Sequence, residues 1–173
     1  ARASGSEAGA ELGATVEHID PLAPPAALNA WLADDASPVA GILYIAAPAS
    51  PQARLLAGTA MTRLADGLGR LLALLQALVR SGSPATPLWM VARGARAARV
   101  GDVVDAAQAA AWGLWRSALA EYPDLEATAL DLDPGPADGW LQPLFDELAA
   151  SAVPHAEIAW RGNLRLVAQV QPV

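Results

Sequence analysis

The 173-residue chain predicts a three-layer α/β sandwich, a mostly parallel sheet covered on both faces and closed by a C-terminal β-hairpin. Three observations predict it. Apolar β-type runs at Val39 to Ala47, Leu88 to Ala92 and Ala127 to Leu130 alternate with longer helical stretches, the pattern of crossover-connected parallel strands. Between the first two runs, Leu64, Leu68, Leu71, Leu75 and Leu78 step by four and three residues and form one helical stripe. At the end, Glu157 to Trp160 and Leu164 to Val170 are β-type runs joined by Arg161-Gly162-Asn163, a hairpin signal.

Taken in order, residues 1–13 are small, Gly-rich and without period, a flexible lead-in or the frayed end of a helix closing at Gly13, and the domain spans residues 14–173. Thr15 to Ile19 alternates apolar and polar residues and reads as a short strand ended by Asp20-Pro21. Pro25 sits early in a short helix, Ala26 to Leu32, with Leu28, Trp31 and Leu32 inward. Val39 to Ala47 is nearly all apolar, as expected of a strand buried on both faces. Ser50-Pro51 is an N-cap hydroxyl followed by Pro at the first helical position, and opens a helix reaching about Arg80. Gly58, Gly67 and Gly69 weaken that helix, with a break expected near Gly58, and Gly82 and Pro84 close it. Its leucine stripe suits sheet packing better than a coiled-coil seam, because strands flank it at short spacing.

Leu88 to Ala92 is the next buried strand, and Arg93 to Asp102 a loop. Asp105 can cap a helix that carries Trp112, Trp115 and Leu119 and stops near Ala120 or Glu121, ahead of Pro123. Ala127 to Leu130 follows and ends in Asp131-Leu132-Asp133-Pro134-Gly135. Trp140 to Ala150 is a helix whose apolar face is Leu141, Leu144, Phe145 and Leu148. The order of elements predicts a Rossmann-like sheet with an antiparallel flap at one edge. The first strand–turn–helix unit of such a fold is not found.

Composition narrows the function. Hydrophobic residues make up 54% and charged residues 17%, so the chain is globular. No apolar run is long enough for a membrane span, nothing at the N-terminus reads as a signal peptide, and a cytoplasmic location is expected. The net charge of −7 argues against a nucleic-acid or anionic-membrane surface. Cysteine is absent, which excludes disulfides, thiolate chemistry and cysteine-bound metal. All 11 basic residues are Arg, which excludes a lysine base, Schiff base or phosphate-binding lysine.

Several stretches also carry a resemblance. Pro87 to Ala95, Gln108 to Leu114 with Arg116, Glu121-Tyr122-Pro123-Asp124-Leu125, Asp131-Leu132-Asp133 and Ala156 to Gly162 resemble the structural subdomain of ketoreductases from modular type I polyketide synthases. The resemblance implies a truncated short-chain-dehydrogenase fold, without catalysis of its own, that packs against and stabilises a catalytic ketoreductase subdomain. It implies for the parent module an NADPH-dependent reduction of a β-ketoacyl thioester carried on phosphopantetheine, with NADPH in the companion half. Other domains of the same synthase are the implied partners. Trp115 departs from the family, where a small residue such as Gly is usual, and is expected to mark a special interface.

Candidate site residues fit poorly with chemistry. No GxGxxG follows a strand, so no cofactor-binding residue is assigned. By resemblance, the Ser of a short-chain dehydrogenase falls near Arg93-Gly94, and its Tyr helix offers Ala109, Ala110 and Ala111; neither place has a hydroxyl. Tyr122 lies at the far end of that helix and Tyr44 inside a strand. His18 and His155 read as surface or structural imidazoles. Asp131 and Asp133 share a strand face at a carboxyl end, and turn or cap roles are preferred to metal binding. Arg93, Arg96 and Arg99 form a basic loop, read as solvated rather than as a phosphate site. Trp112 and Trp115 read as core or interface anchors, Trp160 as an interface residue, and Arg116 as an ion-pair partner of Glu121 or Asp124. No catalytic, cofactor or metal residue is assigned, and the chain alone is expected not to be an enzyme. A remnant scaffold in a non-reducing module and an independent nucleotide-binding enzyme are the alternatives.

Overall fold

The computed structural model describes residues 3–5, 16–18, 25–32, 39–46, 57–81, 86–135, 140–150 and 156–169. Its strands are β1 (Ala3–Gly5), β2 (Val16–His18), β3 (Ile42–Ile45), β4 (Leu88–Arg93), β5 (Ala127–Leu132), β6 (Glu157–Arg161) and β7 (Leu164–Val167). Its helices are α1 (Pro25–Leu32), α2 (Ala57–Ser81), α3 (Ala106–Glu121) and α4 (Leu141–Ala149). The main sheet runs β3-β4-β5-β6-β7, parallel from β3 to β6, with β7 antiparallel to β6. A truncated Rossmann-like sandwich with a C-terminal hairpin is therefore what the chain forms.

Alternation along the strands builds two cores. Leu88, Met90 and Ala92 of β4 and Ala127 and Ala129 of β5 face α2 and α3, meeting Leu71, Leu75, Leu78, Ala111, Trp112 and Trp115. The leucine stripe thus packs on the sheet. The intervening residues Val91, Leu130 and Leu132 meet Ile158 and Leu144 of α4 on the opposite face. Because strand order follows chain order, helices on opposite faces require crossovers of opposite hand. The β5–α4–β6 connection is therefore opposite to the two before it, an unusual mixture in a parallel sheet.

Local signals explain most boundaries. The Asp105 carboxylate accepts from Ala107 N and Gln108 N, capping α3. Helix α3 ends at Glu121, two residues before Pro123. Helix α2 runs unbroken from Ala57 through Gly67 and Gly69 to Ser81, and the stretch ahead of Ala57, which bears on the break expected near Gly58, lies outside the described residues. Its expected start at Ser50-Pro51 and its stop at Gly82 and Pro84 lie outside the described residues. Gly162 takes φ 59°, which lets the β6–β7 turn close over Gly162-Asn163.

Four expectations are corrected. The Val39 to Ala47 run forms an edge strand, and Leu43 and Ile45 on its α4 face are 40% and 48% exposed. Helix α4 covers the middle of that face and not its β3 end, so an apolar run alone did not signify burial. Val16–His18 does form a strand, but it pairs antiparallel with Ala3–Gly5 in a separate ribbon. A strand thus occupies part of the expected lead-in. In α4, Leu141 is exposed while Glu147 is buried, because Glu147 accepts from Trp160 Nε1 at 2.8 Å and from Arg165 Nε at 2.6 Å.

Candidate functional site

In open α/β sheets, ligands bind beyond the carboxyl ends of the parallel strands, where loop and helix N–H groups converge. Among the described residues that edge comprises the loop after β4, the N-terminus of α3, the end of β5 and the tip of the β6–β7 hairpin. Gly94, with φ 72°, turns the chain out of β4, and its N–H donates to Leu132 O at 3.1 Å. Gln108 then bridges two strand ends: its Oε1 accepts from Arg93 N at 3.0 Å and its Nε2 donates to Ala46 O at 3.3 Å.

The centre of the edge is a buried ion network. Asp131, 0% exposed, accepts from Ala95 N at 2.8 Å through Oδ1 and from Arg96 N at 3.0 Å through Oδ2. Asp102 Oδ2 accepts from Ala98 N and Arg99 N, both at 3.0 Å. Arg161, 2% exposed, joins the two acids, with Nε 2.8 Å from Asp102 Oδ2 and Nη2 2.6 Å from Asp131 Oδ2. Its remaining donors reach Arg96 O, Asp131 O and Trp160 O at 2.8 to 3.0 Å. A guanidinium with this much of its fork occupied is satisfied despite burial. Burial pulls the Arg161 pKa down, but hydrogen bonds to Asp131 and Asp102 outweigh it and leave the pKa raised. The Arg161 hydrogen bond, helped by the N–H groups of Arg99 and Ala98, holds the Asp102 carboxyl below its ordinary range.

The loop amides therefore face the chain's own carboxylates. Four N–H groups of the kind that cradle a phosphate in other α/β proteins, those of Ala95, Arg96, Ala98 and Arg99, are each taken by Asp131 or Asp102. Asp133 completes the edge, accepting from Gly135 N at 3.3 Å and Gly162 N at 3.0 Å. The turn role expected of it holds, whereas Asp131 is a buried anchor rather than a cap. Among the described residues, no group of three or more His, Asp or Glu side chains is placed to hold a metal.

The other candidates separate. Arg93 is half-buried, stacks over the Trp140 ring at 5.5 Å and donates to Gly135 O, so it is not a solvated loop residue. Arg96 and Arg99 are exposed as expected. The Ala109, Ala110 and Ala111 positions lie in α3, where Ala111 is core. Tyr44 Oη donates to Gly67 O at 3.1 Å, and burial raises its pKa. Tyr122 is the C-cap of α3. Trp112 and Trp115 both lie in the core, so Trp115 marks no interface. Trp160 packs against the α4 core instead of standing free. Arg116 pairs with Glu157 at 2.9 Å, and not with Glu121 or Asp124. His18 lies in β2, and His155 falls outside the described residues.

Arg161 and Gln108 are the organising residues that local patterns missed. No sequence signal pointed to Arg161: it shares a sheet face with Asp131 through the β5–β6 register, in which Ala159, two residues before it, lies opposite Asp131.

Residues 2–170 match the family described as polyketide synthase extender module SpnB, Rossmann fold domain. The chain belongs to the SpnB Rossmann-fold family. No curated protein was found to match it. As an SpnB-type Rossmann domain of an extender module, it has other domains of the same synthase as partners. Among its described residues no helix is long and apolar enough to cross a membrane.

Proposed function

We propose that this SpnB-type domain is the non-catalytic structural half of a ketoreductase, bracing the catalytic half that reduces a β-ketoacyl-carrier thioester with NADPH. The observation that carries this reading is the ion network at the carboxyl ends of β4 and β5, where Asp131 and Asp102 accept the loop amides and Arg161 joins the two acids. An anion that used these amides would have to displace the Asp131 or Asp102 carboxylate. The positions that would carry the Ser and Tyr of a short-chain dehydrogenase hold Arg93-Gly94 and Ala109-Ala110-Ala111, which supply no proton donor. NADPH and the phosphopantetheine arm belong, in this reading, to the companion half and the carrier.

Calorimetric titration of the purified chain with NADPH tests the assignment, with no saturable heat expected at micromolar coenzyme. Saturable micromolar binding, or ketone-dependent NADPH oxidation by the chain alone, overturns it. The bracing role has a separate readout: the melting temperature of the catalytic half, which should rise when this domain is added.

A further inference from the structure

The described part of the carboxyl edge, whose loop amides are taken by Asp131 and Asp102, carries exposed aliphatic residues on its outer surface. Val100 is fully exposed, Val103 is 83% exposed, and Val104 and Leu164 are also open to solvent. Three belong to the loop after β4 and Leu164 to the hairpin tip, so all four lie at one end of the sheet. Exposed aliphatic residues are commonplace when scattered, but here they cluster on segments fixed from beneath. Arg161 joins the hairpin to Asp102 and to Arg96 O, and Asp102 in turn holds the amides of Ala98 and Arg99. A loop so pinned has little conformational freedom to lose on association.

Its charge is equally one-sided. The described acids of this edge are engaged inward: Asp131 and Asp102 by Arg161 and loop amides, Asp105 by the α3 amides, Asp133 by Gly135 and Gly162. The bases Arg96 and Arg99 are exposed and form no ion pair among the described residues. In a chain of net charge −7, the described residues at the place where its fold class usually binds ligands thus turn a positive and aliphatic face outward.

We propose that this face, Val100, Val103, Val104 and Leu164 with Arg96 and Arg99, docks an acidic surface carrying an apolar contact on another domain of the same synthase. The inference rests on the bracing role and names the surface and partner chemistry that this role uses. The aliphatic residues supply burial, and the two guanidiniums supply orientation and selection for acidic partners. Tethering within one assembly allows so small a face to suffice, because the partner is held at high effective concentration.

Photo-crosslinking in the purified parent synthase tests it, with Val100→benzoylphenylalanine as the probe. The expected product joins this loop to an Asp/Glu-rich segment of another domain, as mapped by mass spectrometry. Adding Arg96→Glu and Arg99→Glu should lower the yield by roughly tenfold, as reversal of complementary rim charges does. The absence of a crosslink, a crosslink to the same loop of a second copy, or a yield indifferent to charge reversal overturns the proposal. If the catalytic half still needs this domain for its thermal stability while no crosslink forms, the bracing role stands and this surface assignment alone falls.

Discussion

Arg161 Nη2 and Asp131 Oδ2 lie 2.6 Å apart with both side chains buried, joining the β6–β7 hairpin to the end of β5. The pair does locally what a bound anion does at the same edge of other α/β sheets: it gives converging amides a negative partner. Removing one member leaves the other buried charge without its nearest counter-charge. Arg161→Met is expected to lower unfolding stability by about 3 to 5 kcal/mol, whereas Arg161→Met with Asp131→Leu should lose less than the sum of the two single changes. Urea unfolding of the three variants measures both; additive losses would show that the pair does not act as a unit.

Acid sensitivity follows from Asp102. Its hydrogen bond from Arg161 and those from the Arg99 and Ala98 amides hold its folded-state pKa below the ordinary value. The unfolded chain therefore binds the proton first as pH falls. The stability that Asp102 contributes is present above about pH 4 and is lost as pH drops below it. Asp102→Asn should flatten this acid limb of a stability-versus-pH curve; an unchanged slope below pH about 4 would remove Asp102 as its source.

Two glycines with positive φ should respond differently to alanine. At Gly94, φ is 72° and an added Cβ would sit 3.2 Å from Pro134 Cβ, so backbone strain and crowding act together. At Gly162, φ is 59° and nothing lies within 4 Å. Gly94→Ala should cost about 2 to 3 kcal/mol and Gly162→Ala about 1 to 2 kcal/mol. Thermal unfolding that ranked them the other way would mean that Pro134 yields freely.

Trp112 lies in the core against α2 and the sheet. Trp112→Ala is expected to destabilise by about 3 to 5 kcal/mol, through lost burial and the cavity left behind. A loss under about 1 kcal/mol would show that the surrounding helices collapse into the space.

Much of this architecture was legible because its signals are short-range. Apolar runs, the leucine stripe, the Asp105 cap and the Gly162 turn each act within a few residues, and β3, β4, β5, the helices and the hairpin fall near their expected positions. Sheet position was not legible in the same way. The Val39 to Ala47 run is as apolar as a central strand, yet forms the edge, because neighbours and not composition decide which faces are covered. Val16–His18 alternates as a sheet strand should, yet pairs in its own ribbon.

The site divides along the same line. The absence of a GxGxxG and of any lysine is a property of the chain itself, whatever shape it takes. The sequence alone also determined the fold class, since hydrophobic period and turn chemistry are local. Only the tertiary structure brought Arg161 to Asp131, 30 residues apart, and Asp102, 59 residues apart, and so built the ion network at the ends of β5 and β6. Long-range pairing of charges depends on strand register and on the hand of the crossovers, and no local pattern encodes either.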